Sequence, residues 1–221
     1  MALAPELYWI SGSPPAWRVM LGFVVKGVAF TSRGLDHGAG ENRTPEYLAL
    51  NPLGQVPTVR CGDTVIRESV AILAWLDRAF PDRPIFGRDA TEAARVWQDV
   101  IVFENELRPH ATRVAQGLLR GRTGEPDRRN ALDNVGTQLD TLAGRLDASG
   151  EPFLGGAEPM ANDLWLFPTL GWIERGVEKA GDAAPALAVT LVTDRPALAR
   201  WRERFAALPG ITDTHPPHWR D

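Results

Sequence analysis

The sequence has 221 residues, 44% hydrophobic and 24% charged, with a net charge of −4 and a single cysteine, Cys61. That is enough chain for one large domain or two small ones, and its balance excludes a disordered polymer, a disulfide-stapled miniprotein and a cysteine metal cluster. Of the 24 basic residues only Lys26 and Lys179 are lysine, against 28 acids, which gives no support to a nucleic-acid partner. The opening residues, MALAPELYWISGSPP, lack the basic stretch of a signal peptide, and Glu6 and prolines break their apolar run. No run approaches the roughly 18 apolar residues that span a bilayer. The expectation is a soluble cytoplasmic protein with no membrane partner.

Along the first 80 residues, short β-rich runs alternate with helical ones. Leu7–Ile10 reads as a strand, Ser11-Gly12-Ser13-Pro14-Pro15 as punctuation, and Ala16–Lys26 as a helix. Val28–Arg33 is a second strand, followed by a loop over 36–42. Thr44–Leu50 forms a short helix that stops before Asn51-Pro52, because a residue before proline avoids the α region. Val56–Arg60 and Thr64–Arg67 read as a hairpin around Cys61-Gly62-Asp63, and Ser69–Ala79 as an amphipathic helix. The order is β-α-β-α-β-β-α.

Residues 81–90, PDRPIFGRDA, read as a linker. Everything after it is helical. Val96, Val100, Phe103 and Leu107 share one face of a long helix that Pro109 is expected to end or kink. Leu132, Val135, Leu139, Leu142 and Leu146 mark the next helix. Leu164–Ile173 is apolar nearly all round, the pattern of a buried helix. Leu198, Trp201, Phe205 and Leu208 stripe a last one. Trp75, Trp165 and Trp201 lie on core stripes. The expected domains are 1–82, an α/β domain, and 90–221, an all-helical one.

Three short segments carry chemistry. Ser13 precedes Pro14-Pro15, so it sits at a helix N-cap with proline at the first helical position. Such a terminus favours anions, and a hydroxyl there can donate to a thiolate; plain capping explains the same residue, and Ser11 competes for either role. In Gly54-Gln55-Val56-Pro57, a proline opening a strand suits a cis bond that would turn the Val56 backbone outward to pair with a peptide-like ligand. An edge-strand proline without ligand fits equally. In Arg67-Glu68-Ser69, at a strand-to-helix junction, a carboxylate and a hydroxyl can hold the ammonium and carboxylate of an amino-acid-like ligand, or simply cap the helix. Cys61 falls in a hairpin turn away from these segments, and His37, His215 and His218 lack metal-ligand spacing. His110 and Trp17 fit either a cleft or a bland position.

Taken together, Ser13…Arg18, Asn51-Pro52-Leu53-Gly54-Gln55-Val56-Pro57 and Glu68-Ser69-Val70-Ala71-Ile72-Leu73 resemble the glutathione transferase superfamily over essentially the whole chain. The resemblance implies a thioredoxin-like α/β N-terminal domain and an all-α C-terminal domain. It also implies glutathione as co-substrate with no metal, a small electrophile that could bear a carboxylate, and a homodimer. It assigns Ser13 to the glutathione thiolate, Val56 beside cis-Pro57 to the cysteinyl backbone, and Glu68 and Ser69 to the γ-glutamyl end. Gln55, Asn42 and Arg43 fall near the glycyl end. Asn105, Arg108 and Arg175 are candidates for the electrophile pocket.

Within the superfamily, Trp17-Arg18-Val19, Asp163-Leu164…Pro168…Glu174-Arg175 and His215-Pro216 resemble the zeta class, which includes maleylacetoacetate isomerases. That class reads Ser-Ser-Cys-Ser-Trp-Arg where this chain has Ser13-Pro14-Pro15-Ala16-Trp17-Arg18. Thiolate activation by Ser13 and conjugation to an electrophile are the first expectation. Cis–trans isomerisation of a maleyl-type diacid, and a non-catalytic glutathione- or protein-binding role, are the alternatives. The superfamily's buried helix opens on a Ser/Thr-x-x-Asp capping box; Met160 replaces the hydroxyl residue here, so a looser or shifted cap is expected, at a cost of about 1 kcal/mol.

Overall fold

A computed structural model describes residues 4–120, 125–181 and 191–219. The chain divides into two compact units, 1–86 with 209–221, and 87–208. Chain order alone groups 209–221 with the helices, whereas its contacts group it with the α/β unit. The reason is aromatic. Trp17 is buried, donates its indole N–H to the Thr214 hydroxyl (2.8 Å), and meets the rings of His215 and Trp219 edge-on at 5.2 and 5.4 Å.

The first unit runs β1 (Glu6–Trp9), α1 (Pro14–Lys26), β2 (Thr31–Gly34), α2 (Pro45–Leu50), β3 (Thr58–Cys61), β4 (Thr64–Arg67) and α3 (Ser69–Ala79). The sheet order is β2-β1-β3-β4, with β1 parallel to β2 and antiparallel to β3, and β3 antiparallel to β4. Leu7 and Val59 from the sheet, Val19, Leu21 and Phe23 from α1, and Ile72, Leu73 and Leu76 from α3 are buried, and α1 packs on α3. At about 1.5–3 kcal/mol for each buried large apolar side chain, this cluster supplies most of the unit's driving force.

The element order matches the sequence pattern, but β2 starts three residues late. Gly27 sits in the left-handed region (φ 66°) and Val28 N–H reaches back to the Phe23 carbonyl (2.9 Å), a helix-ending motif that occupies residues a strand would need. Thr31–Gly34 then pairs as an exposed edge, with Arg33 and Arg60 both held by Glu6, whose carboxyl the Arg33 hydrogen bond pulls below the usual range.

The second unit contains α4 (Ala90–Val102), α5 (Arg108–Arg120), α6 (Glu125–Ser149), α7 (Ala161–Ala180) and α8 (Pro196–Ala206). The chain does not end a helix at Pro109. A π-helical turn over Phe103–Leu107 joins α4 to α5, with Arg108 N–H reaching five residues back to Phe103. Widening the helix just before the proline accommodates a residue that cannot donate to the ladder. Helix α7 is buried from Ala161 through Gly171, as its apolar sequence requires. Trp165 and Trp201 are core residues, while Trp75 is half-buried, edge-on to Phe80.

The α7 cap is neither shifted nor loose. Met160 holds the N-cap with no side-chain bond of its own, and the Asp163 carboxylate takes over. It accepts N–H groups from Met160 (2.9 Å), Leu154 (2.8 Å), Gly155 (3.0 Å) and the Trp201 indole (2.7 Å). Asp163 therefore ties the helix start to the preceding loop and to α8. Burial pushes its carboxyl up to about 6 despite those four donors.

Candidate functional site

The register of the sheet decides where the chemistry gathers. Tyr8 lies opposite Thr58, Thr58 opposite Arg67, and Trp9 beside Gly34. The loop leaving β1 (10–13), the loop leaving β2 (35–43), the segment entering β3 (54–57) and the junction leaving β4 (68–69) therefore all emerge at one end of the sheet. Strand direction alone brings Ser13, Asn42, Arg43, Gln55, Val56, Pro57, Glu68 and Ser69 to that end.

Ser13 caps α1 in extended conformation, accepting the Ala16 N–H at 3.4 Å. This is beyond the usual 2.7–3.2 Å of such a bond. Among the described residues its own O–H donates to no acceptor. Ser11, two residues earlier, is committed differently: its Oγ lies 2.6 Å from His218 Nδ1. Val56-Pro57 is a cis peptide bond. Val56 is half-buried, and among the described residues its backbone N–H and carbonyl bond to nothing. An outward-facing extended residue of this kind is what strand-like pairing with a peptide requires.

Glu68 is the one non-glycine residue with positive φ among the described residues (φ 66°, ψ 118°). Such backbone costs about 1–3 kcal/mol and gathers at functional sites. Its carbonyl accepts the Ile72 N–H (2.9 Å) to start α3, its side chain is exposed, and Ser69 beside it is buried and accepts from Arg18 Nη1 at 3.4 Å.

Asn42 and Arg43 brace the loop. Asn42 is buried and donates to the Gly54 carbonyl at 2.6 Å, with His37 Nδ1 3.4 Å from its Oδ1. Arg43 is exposed and donates to the Leu53 carbonyl at 3.2 Å. Gly54 has φ +62°, and a Cβ there would come within 2.8 Å of the Asn42 carbonyl oxygen, so only glycine fits.

Three residues to which the motif assigns no role complete the platform. The Tyr47 hydroxyl bonds the Gln55 carbonyl (2.5 Å) and Thr58 Oγ1 (3.0 Å); Asn51 Nδ2 bonds the same two groups at 2.8 and 3.3 Å. All three are buried, and burial raises the Tyr47 hydroxyl above its ordinary pKa. This network fixes the carbonyl that precedes Val56. Asn51 lies inside the motif, but only its contacts with Tyr8 and Thr58 reveal Tyr47. Gln55 itself has an exposed side chain.

The three remaining candidates lie in the helical unit. Asn105 is exposed on the π turn. Arg108 is exposed and paired with Glu104 at 2.8 Å; Glu104 also accepts the Trp165 indole N–H at 2.6 Å. Arg175 on α7 is buried and bonds Glu178 at 2.8 Å.

Two family models match: the glutathione S-transferase N-terminal domain over residues 12–79 and the C-terminal domain over residues 125–204. The chain belongs to the glutathione S-transferase family. A glutathione S-transferase 1 from Dianthus caryophyllus is 30% identical over 75% of each chain. A maleylacetoacetate isomerase from Pseudomonas aeruginosa is 27% identical over 98% of each. The crystal structure of a glutathione S-transferase from the Antarctic clam Laternula elliptica is 28% identical, covers 99% of this chain and 94% of that one, and superposes with a TM-score of 0.83. The transferase is thus a two-unit enzyme of this fold, and glutathione is the co-substrate of its family. Among the described residues, no helix is long and apolar enough to cross a membrane.

Proposed function

We propose that this transferase activates glutathione at the sheet end that carries Ser13 and conjugates it to a small electrophile. The observation that carries the reading is the uncommitted Ser13 O–H at the N-terminus of α1, on the same sheet end as the unpaired Val56 backbone. A thiol brought there loses its proton more readily, because the ionised sulfur gains a hydroxyl donor and the positive end of the α1 dipole. Ser13 is preferred over Ser11, whose Oγ lies 2.6 Å from His218 Nδ1. The cysteinyl backbone of glutathione pairs with Val56. The exposed Glu68 carboxylate takes the γ-glutamyl ammonium, and Ser69 with the first turn of α3 takes its carboxylate. Gln55 and Arg43 serve the glycyl carboxylate. Asn42 contributes by holding Gly54. Asn105, Arg108 and Arg175 are assigned to the electrophile, with the guanidinium groups suited to a carboxylate. The enzyme works as a cytoplasmic homodimer in detoxification.

Ser13→Ala tests this. The pKa of bound glutathione, read from thiolate absorbance, should rise toward that of free glutathione, and conjugation of aryl halides should fall at least about tenfold, the loss of one charge-assisted hydrogen bond of roughly 1.5–3 kcal/mol. A thiolate that persists unchanged refutes the Ser13 assignment.

A second reading, glutathione-dependent isomerisation of a maleyl diacid, is supported by the full-length similarity to the Pseudomonas aeruginosa isomerase and by Trp17-Arg18-Val19. There the thiolate adds to the double bond, the single bond rotates, and glutathione leaves unchanged. Pro14 and Pro15 stand where the isomerase class carries a second serine and a cysteine. Turnover of a maleyl diacid with no loss of free thiol selects this reading over conjugation.

A further inference from the structure

Ile10-Ser11-Gly12-Ser13 forms a tight turn closed by Ser13 N–H on the Ile10 carbonyl (3.2 Å), with Gly12 at φ +81° in the third position. A glycine with positive φ there is the mark of a type II turn, which leaves Ser11 as the second residue and Ser13 as the last. Ser13 is also the α1 cap, so the geometry of this turn sets where its hydroxyl points. The turn is gripped from outside by the segment that follows Ile211. His218 Nδ1 lies 2.6 Å from Ser11 Oγ, and the ring covers Gly12 so closely that a Cβ there would sit 2.9 Å from His218 Cε1. The segment is itself moored to α1 by the Trp17–Thr214 bond and by Trp17 edge-on to His215 and Trp219.

We propose that His218 is a positioning residue for glutathione activation: it holds the Ser11 hydroxyl and thereby fixes the turn that presents Ser13. The inference rests on the Ser13 reading. His218 does not touch the sulfur or take its proton; it acts through Ser11, and the rest of segment 211–219 serves to bring it there. A hydroxyl–imidazole bond at 2.6 Å is short, and pinning the second residue of a four-residue turn removes most of the freedom left to the fourth.

The test compares His218→Phe, which keeps an aromatic cover over Gly12 and the edge contact with Trp219, with His218→Asn, whose side-chain amide can stand near the Nδ1 position. Each is combined with Ser11→Ala. The readouts are the pKa of bound glutathione from thiolate absorbance, glutathione affinity by calorimetry, and kcat separated from KM. His218→Phe is expected to lower the thiolate fraction at neutral pH and kcat by about fivefold, the loss of one ordinary hydrogen bond, with affinity little changed. His218→Asn should recover most of that. Ser11→Ala should match His218→Phe, and the double variant should be no worse than either single one. A His218→Phe enzyme with wild-type thiolate pKa and kcat overturns the proposal, as do Ser11 and His218 effects that add. If Ser13→Ala leaves the thiolate intact, the activation reading falls first. An intact Ser13 effect beside an inert His218 sinks this inference alone.

Discussion

Replacing Asp163 by alanine is the substitution for which the structure gives the fullest arithmetic. The carboxylate accepts four N–H groups, from Met160, Leu154, Gly155 and the Trp201 indole, and has no exposed surface. Asp163→Ala leaves those donors buried without acceptors, at about 1–3 kcal/mol each, or about 8 kcal/mol at the middle of that range. Against this stands the cost of keeping the acid ionised. Its pKa rises from 3.8 to about 6 on folding, worth about 3 kcal/mol at neutral pH and relieved in the variant. The net expectation is a loss of about 5 kcal/mol in urea unfolding at pH 7, a large share of ordinary domain stability. The pH dependence has a definite sign. Between pH 4 and 6 the folded chain holds a proton the unfolded chain has already lost, so this group's contribution falls as pH rises and its loss is complete above about 6. Lowering the pH from 7 to 4 should therefore widen the gap between wild type and variant. Asp163→Asn keeps one oxygen for Leu154 and Trp201 but turns an amide N–H₂ toward Met160 and Gly155, so it should fall between the two. Should Asp163→Ala cost less than about 1 kcal/mol, or the gap narrow on acidification, the account of Asp163 as the tie between α7, the 150s loop and α8 is wrong.

Two further predictions bear on the candidate site. Glu68→Ala should weaken glutathione binding by calorimetry about tenfold or more while changing kcat at saturation far less; equal affinity refutes the γ-glutamyl assignment. Tyr47→Phe removes the bond to the Gln55 carbonyl and should cost about 1 kcal/mol of stability and raise KM for glutathione severalfold, with the thiolate pKa unmoved. A shifted pKa there would mean that the network reaches Ser13 as well as Val56.

The first unit was readable because its chain is punctuated. Gly12-Ser13-Pro14, Asn51-Pro52, Gly54 and Gly62 stand where backbone geometry demands them, and local steric rules suffice to find them. What escaped depended on how particular residues meet in the folded chain, some of them far apart in sequence. The late start of β2 follows from three residues spent closing α1 at Gly27. Residues 103–107 read as ordinary helix, because the π turn answers to Pro109 and to the burial of Phe103 and Leu107 together. Tyr47, on a short helix, gives no periodic signal, yet its hydroxyl reaches the chain eight residues on. Segment 211–219 lies about two hundred residues from Ser11 and Trp17, and nothing in the local sequence says which unit it joins. The Met160 substitution looked like a weakened cap. The distant donors Leu154, Gly155 and Trp201 show that Asp163 carries the role alone. Asn42 and Arg43 were recognisable as loop residues near the site, but not the turning of their polar atoms toward Gly54 and Leu53.

Helix α7 is walled in along its whole first half, and the same acid that starts it also holds the loop before it and the helix after it. The amide protons of that half therefore have no private route to solvent. Fraying at Met160 is blocked by Asp163, and opening at Pro168 would expose Leu164, Leu166 and Leu170 at once. Exchange of those protons must wait for the entire helical unit to come apart, which makes α7 the slow-exchange centre around which the more exposed π turn and loops can breathe.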